Sequence, residues 1–274
     1  GKKYLEFLNV PIFTEIASEF KYSKHLLTKN TLCIFVSQSG ETADTIACVK
    51  KCKCKTLAIT NVPNSSITFA CKKTILMKAG WERAVASTKA YSCQLLIFYL
   101  LKCLLKDEKP KIKTLIRQSK QYLNSLNLTQ LAKKVATFEK VMFIGRQDDY
   151  ITAKEGALKL KEISYINCTA CPSGELKHGT LALVDENTLI ILISTKNNLI
   201  SKNLLTKEEI EARGGKCLIL GNFENADIKL PKLSSDLMPI LSILPLQVLA
   251  CEVCILKGYN PDKPRNLSKS VTVE

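Results

Sequence analysis

Two copies of one apolar pattern constrain this chain more than anything else in it. Asn30-Thr31-Leu32-Cys33-Ile34-Phe35-Val36-Ser37 and Asn187-Thr188-Leu189-Ile190-Ile191-Leu192-Ile193-Ser194 each read as a buried strand that ends in a polar turn. A helical stretch follows each copy. A second short apolar run comes next, Leu57 to Asn61 in the first case and Leu218 to Asn222 in the second. Continuous apolar strands joined through helices predict a parallel sheet covered on both faces. The repeat therefore predicts an α/β protein with two doubly wound, parallel-sheet halves in tandem. A chain of 274 residues can hold two cores of ordinary size.

Between the copies the pattern is mostly helical. Glu82 to Lys106 reads as one long, largely buried helix and Lys111 to Leu126 as an amphipathic one. Val141 to Arg146 reads as a strand and its turn, leading into a helix over Ala153 to Tyr165. A last helix is expected over Pro245 to Gly258, and the two prolines in Asn260 to Arg265 predict an extended tail. The pattern breaks at Asn124 to Leu131. The expected divisions are thus residues 1–126, 127–259 and a tail, 260–274. The second half has a strand, turn and helix ahead of Leu189 that the first half lacks ahead of Leu32, so an equivalent of Val141–Arg146 is expected upstream of Gly1.

The chain opens on GKKYLEF, with neither a methionine nor a signal-peptide pattern, which points to a fragment or processed product of an intracellular protein. The apolar stretch Leu95 to Leu105 is interrupted by Lys102 and is too short for a bilayer, so no membrane partner is expected. The formal net charge of +15 suits anionic ligands. Nucleic acid is not expected. The densest basic runs, Lys50-Lys51-Cys52-Lys53-Cys54-Lys55 and Lys109-Pro110-Lys111-Ile112-Lys113, have no aromatic residue interleaved for base stacking. Twelve cysteines in a chain this long and regular read as cytosolic free thiols rather than a disulfide framework. The pairs Cys168/Cys171 and Cys251/Cys254 have zinc-ligand spacing, but the second falls in an apolar helix where such cysteines are ordinary core residues.

Three stretches could carry chemistry. Ser37-Gln38-Ser39-Gly40-Glu41-Thr42 follows an apolar strand and precedes a helix, the place where a parallel sheet presents ligands. Its hydroxyls and the N–H groups of the helix start could cradle a phosphate, or the same residues could simply cap the helix. Glu155, Lys159 and Glu162 share one helix face, either as a positioned base with its ammonium or as an exposed salt-bridge ladder. His178, flanked by Gly174 and Gly179, is of the residue type that carries protons near neutral pH, and by sequence alone a catalytic and a structural role are equally open, whereas His25 reads as a surface residue. Lys269 in the tail would matter only if the tail folded into a cleft, where an amine could form an imine with a ketose carbonyl.

Taken in order, SQSGETADT, Val85-Ala86-Ser87-Thr88-Lys89-Ala90, GALKLKEISY, GELKHG and PRNLSKSVTVE resemble the isomerase part of the glucosamine-6-phosphate synthase family, from Glu15 to Glu274. The resemblance implies two sugar-isomerase (SIS), flavodoxin-like domains in tandem and a tail that completes the site. It implies that Ser37, Gln38, Ser39 and Thr42 hold the phosphate of fructose 6-phosphate, and that Val85 and Ser87 contact the sugar. Glu162 would be the base that moves a proton between C1 and C2, with Lys159 beside it. His178 would assist ring opening in a neighbouring subunit, which implies a homodimer or larger assembly. Lys269 would form the imine. The product would be glucosamine 6-phosphate, made without metal or organic cofactor from ammonia supplied by a glutaminase domain. Neither that domain nor the family's Cys-Gly-Thr-Ser loop occurs within these residues. Ser268 stands where the family usually has alanine. Other sugar-phosphate deaminases or isomerases of the same superfamily, and a non-catalytic sugar-phosphate sensor, are the alternative readings.

Overall fold

A computed structural model describes residues 1–269, so Ser270 to Glu274 of the tail lie outside the described residues. The chain divides into two compact units. The first comprises residues 1–108 together with the tail from Asn266, and the second is residues 109–265. The helix Ile112–Ser125 thus groups with the second unit, and the division falls earlier in the chain than the pattern break at 124–131. The physical reason is its apolar face, which packs against the last long helix of that unit, Met238–Leu256.

The first unit contains α1 (Lys2–Leu5), α2 (Ala17–Phe20), β1 (Leu32–Ser37), α3 (Ala43–Lys51), β2 (Lys55–Thr60), α4 (Ser66–Ala70), β3 (Lys73–Leu76) and α5 (Lys89–Leu105). Its three strands pair in the order β1-β2-β3, all parallel, with Ser37 opposite Thr60. Helix α5 begins at Lys89 rather than at Glu82. The carboxylate of Glu82 accepts hydrogen bonds from the N–H groups of Thr88 and Ala90, so it caps the helix from outside instead of joining it. His25, expected at the surface, is half-buried and stacks on Phe20 with ring centroids 3.8 Å apart.

The second unit contains α6 (Ile112–Ser125), α7 (Thr129–Ala136), β4 (Lys140–Gly145), α8 (Asp148–Ser164), β5 (Asn167–Pro172), β6 (Thr188–Ser194), α9 (Ile200–Glu211), β7 (Lys216–Gly221), β8 (Ile228–Lys229) and α10 (Met238–Leu256). Its strands run in the order β5-β4-β6-β7-β8, all parallel. This is the flavodoxin-like order, whose ligand crevice lies where the winding reverses, here between β4 and β6. Every residue of β6 is buried, as expected for a central strand covered on both faces. Gly156 lets α8 approach its neighbours closely, since a Cβ there would stand 2.7 Å from Leu246 of α10 and 3.0 Å from Phe143 of β4.

Helix α10 starts at Met238, seven residues before the expected Pro245. Pro239, not Pro245, occupies the first turn, where a missing N–H costs nothing. The helix is 19 residues long and apolar enough by length and composition to cross a membrane, a longer apolar stretch than Leu95 to Leu105. Its apolar side chains pack instead against α8 and α7 as the core of the unit. After α10 the chain is pinned to the end of α8: the Arg265 N–H donates to Tyr165 Oη at 2.8 Å, and the Arg265 guanidinium lies 4.1 Å over the Tyr165 ring.

Candidate functional site

In the first unit the apolar strand β1 delivers Ser37 to the carboxyl edge of the sheet, where the chain turns into α3. Ser37 is buried, and its Oγ accepts from the Gly40 N–H at 3.0 Å and lies 3.1 Å from Thr42 Oγ1. Ser39 Oγ accepts from the Glu41 N–H at 3.2 Å. The Gln38 carbonyl accepts from the Asn61 N–H at 3.1 Å and ties the loop to the end of β2. Gly40 is required here: its φ is +72°, and a Cβ would fall 2.1 Å from Ser65 Oγ. Glu41 turns away from the loop, accepting from Ser66 N–H and Oγ at 2.9 and 2.6 Å, and the Ser66 hydroxyl and N–H hold its carboxyl below the usual range.

The simple-cap alternative for this loop fits poorly. Thr42 is the N-cap residue of α3 yet makes no side-chain cap bond, because its hydroxyl faces Ser37. Among the described residues, the first turn of α3 therefore has no side-chain acceptor for its N–H groups, and the hydroxyls of Ser37, Ser39 and Thr42 belong to the loop that leads into it. That arrangement suits an oxyanion.

The segment between β3 and α5 supplies a second cluster. Glu82 is 6% exposed. Its carboxylate accepts from Ser87 Oγ at 2.9 Å, Thr88 N–H at 2.8 Å and Ala90 N–H at 3.3 Å. Lys269 Nζ donates to the same carboxylate at 3.1 Å and to the Ala84 carbonyl at 2.7 Å. Burial alone would raise the Glu82 pKa, but the bonds from Thr88, Ser87, Lys269 and Ala90 outweigh it and hold the carboxyl below its ordinary value. A preformed anion thus receives the tail lysine. Val85 and Ser87 sit in this same segment, both half-buried.

In the second unit, α8 carries Glu155, Lys159 and Glu162 on one face. They form no exposed ladder. Lys159 is 3% exposed, with Nζ 2.7 Å from Glu162 Oε2 and 3.6 Å from Glu155 Oε1. Burial pushes the Glu155 carboxyl up, Lys159 pulls it down, and Glu162 adds to the upward push. A buried lysine flanked by two carboxylates holds Glu162 in one rotamer while leaving it partly open, which suits a positioned base. His178 follows a short helical turn at Glu175–Lys177, and its side chain is exposed. Of the expected residues, the first unit holds Ser37, Gln38, Ser39, Thr42, Val85, Ser87 and Lys269, and the second holds Lys159, Glu162 and His178.

Glu82 escaped the sequence reading because it fell inside an apparent helix. Its only signal was an acidic residue six positions before a Thr-Lys-Ala helix start. The two Cys-x-x-Cys pairs do not gather into a metal site: among the described residues, the group of three or more potential ligands with mutually close atoms consists of Cys33, Cys52 and Cys54.

The SIS domain model matches residues 2–102 and 135–256, most of both units. The chain belongs to the SIS domain family. It is 42% identical over 299 aligned positions to glutamine–fructose-6-phosphate aminotransferase (isomerizing) of Caldanaerobacter subterraneus, and 40% identical over 294 to that of Bacillus subtilis. Each alignment covers 100% of this chain and 49% of the relative, so the chain spans about half the length of the curated relatives it matches. Among solved structures it resembles the C-terminal domain of glucosamine-fructose-6-phosphate aminotransferase from Francisella tularensis, with TM-score 0.85 and 35% identity over 95% of this chain and 81% of that one. Glucosamine-6-phosphate deaminase from Thermotoga maritima shares the fold, with TM-score 0.84 at 22% identity, covering 98% and 84% of the two chains. The tandem α/β reading of the repeat and the family resemblance both hold.

Proposed function

We propose that this SIS-domain chain binds fructose 6-phosphate and carries the isomerase half of glucosamine 6-phosphate formation, within a longer protein whose glutaminase domain supplies ammonia. The phosphate docks on the Ser37, Ser39 and Thr42 hydroxyls and the first turn of α3, with Gln38 shaping the loop. Val85 and Ser87 line the sugar. Lys269 condenses with the C2 carbonyl of the open-chain ketose, forming a carbon–nitrogen double bond and releasing water. Ammonia then displaces the lysine amine from C2. Glu162 takes a proton from C1 and returns it to C2, leaving an aldehyde at C1 and an amine at C2. Lys159 holds Glu162 in position. His178, exposed on its own unit, serves ring opening in a second copy, which makes the working form at least a homodimer. All twelve cysteines are free thiols, which supports a reducing, cytoplasmic setting.

The seat of Lys269 carries this reading. A buried carboxylate already organised by three local hydrogen bonds fixes the end of a long, otherwise mobile side chain in the unit that also holds the hydroxyl-lined loop. The amine must shed its proton before attack, so Glu82 acts as a positioning residue and substrate entry must loosen the pair.

Turnover of fructose 6-phosphate with added ammonia, measured on the full-length protein, tests the assignment. Lys269→Ala should abolish product formation, and Glu162→Gln should lower it by about 10²–10⁴-fold, the usual worth of a general base. Undiminished turnover in either variant removes that residue from the reaction.

A further inference from the structure

The basic run Lys50 to Lys55 takes no part in the proposed chemistry, yet it carries two of three sulfurs that meet at the amino end of the first sheet. Cys33 is the second residue of β1, Cys52 follows the last turn of α3, and Cys54 immediately precedes β2. Parallel pairing sets Cys33 beside the start of β2, with its register partner at Thr56. Cys33 Sγ lies 3.4 Å from Cys54 Sγ and 3.8 Å from Cys52 Sγ, and all three sulfurs fall within 4.8 Å of one another. Cys33 precedes Ser37 by four residues on the strand, about 13 Å at a rise of about 3.3 Å per residue. The cluster is therefore well removed from the hydroxyl-lined loop at the opposite end of β1.

We propose that Cys33, Cys52 and Cys54 form a three-thiolate site for a soft d¹⁰ cation, zinc(II) in the first instance. Two thiolates on a tetrahedral zinc, each about 2.3 Å from the ion, stand about 3.8 Å apart. The Cys33–Cys52 and Cys33–Cys54 separations lie within about 0.4 Å of that edge, and the Cys52–Cys54 pair lies within 4.8 Å. Thiolate sulfur favours zinc and copper(I) over hard cations, and no histidine or carboxylate joins the group among the described residues. The fourth position of a tetrahedral ion falls to water or a small thiol.

Charge supports the same assignment. Three thiolates around a divalent ion leave one net negative charge, and Lys50, Lys53 and Lys55 stand exposed in the same run to offset it. Thiolate rather than thiol ligates the ion, so any thiol that binds must give up its proton and affinity rises with pH. Small buried cysteines also occur as plain core residues, and that alternative predicts no preference for these three over the other nine.

The test uses the full chain, reduced and stripped with chelator, then titrated with cobalt(II) and back-titrated with zinc(II). One equivalent of cobalt should give a thiolate-to-metal charge-transfer band that zinc abolishes. Cys33→Ser and Cys54→Ser should each remove the band and weaken zinc by more than the ~10–100-fold typical of losing an outer-shell partner, while Cys251→Ser changes neither. Alkylation of the wild-type chain with and without zinc, mapped by peptide mass, decides the matter even if a variant misfolds. Zinc should protect Cys33, Cys52 and Cys54 selectively. Absence of the band, or protection spread evenly over the cysteines or centred on Cys168/Cys171, overturns the proposal.

Discussion

The ends of β1 and β6 began as the same sequence pattern and finish as opposite structures. In the first unit the hydroxyls after Ser37 bond only to one another and to backbone N–H groups of the same loop, and among the described residues no side chain caps the helix that follows. In the second unit the equivalent loop is filled from within. Asp149, at the start of α8, accepts from the Thr195 N–H at 2.8 Å and from Thr195 Oγ1 at 2.5 Å. Lys196 pairs with Asp148 at 2.7 Å, and Asn203 bridges Ser194 Oγ and the Arg146 guanidinium at 2.9 and 3.2 Å. The crevice between β4 and β6 is where a sheet of this order would take an anion, and here the protein's own carboxylate takes the anion's place. The proposed function gives the first loop to a phosphate, whereas the second unit has turned the same feature into structure.

The sharpest challenge is to give the first loop a carboxylate of its own, as Asp149 supplies one to the second. Thr42→Asp keeps a good N-cap residue, so α3 should stay folded. It puts a fixed negative charge where the phosphate would sit, and facing like charges costs several kcal/mol. Fructose 6-phosphate binding measured by calorimetry should weaken by about 100-fold or more. Unchanged affinity would show that this loop does not hold the phosphate. The reverse change, Asp149→Ala, strips the acceptor from two buried donors of Thr195 and should lower stability by about 2–4 kcal/mol in denaturant unfolding. Hydrogen exchange should localise the loss to peptides of the second unit. A smaller effect is expected from trimming hydroxyls one at a time. Ser37→Ala should weaken the sugar phosphate by roughly tenfold, the worth of one charge-assisted hydrogen bond, whereas Thr195→Ala should leave its affinity alone.

The two units should also respond to acid in opposite senses. Hydrogen bonds hold the Glu82 pKa below its unfolded 4.5, so its contribution is present above that value and lost as pH falls through the folded one. Burial raises the Asp149 pKa above 3.8 despite its bonds to Thr195 and its proximity to Lys196, so its contribution is full below 3.8 and fades as pH rises through the folded value. Thermal unfolding followed from neutral pH into acid should therefore show Glu82→Gln flattening the acid loss. Asp149→Asn should gain on wild type as pH rises. Parallel curves for wild type and both variants would mean that neither carboxylate is perturbed.

Much of this was legible because it depends on local pattern. Leu32–Ser37 and Thr188–Ser194 are apolar runs bounded by turn residues, and their parallel pairing follows from the helices between them. What escaped depended on partners distant in sequence. Glu82 looked helical because only the Thr88 and Ala90 N–H groups reveal it as a cap. Whether Lys159 was buried stayed open because a helical ladder of charges gives no sign of what covers it. Helix α10 was shortened because Pro245 resembled a first-turn proline, a place held by Pro239. The Cys33–Cys52–Cys54 cluster needs the register of β1 against β2 before it can be seen at all.

Reduction with borohydride in the presence of fructose 6-phosphate, followed by peptide mapping, tests most directly whether the tail amine meets the sugar. A hexitol phosphate adduct on Lys269, lost in Thr42→Asp, is the expected result. An unmodified Lys269 alongside productive turnover, or an adduct on a different lysine, would contradict it.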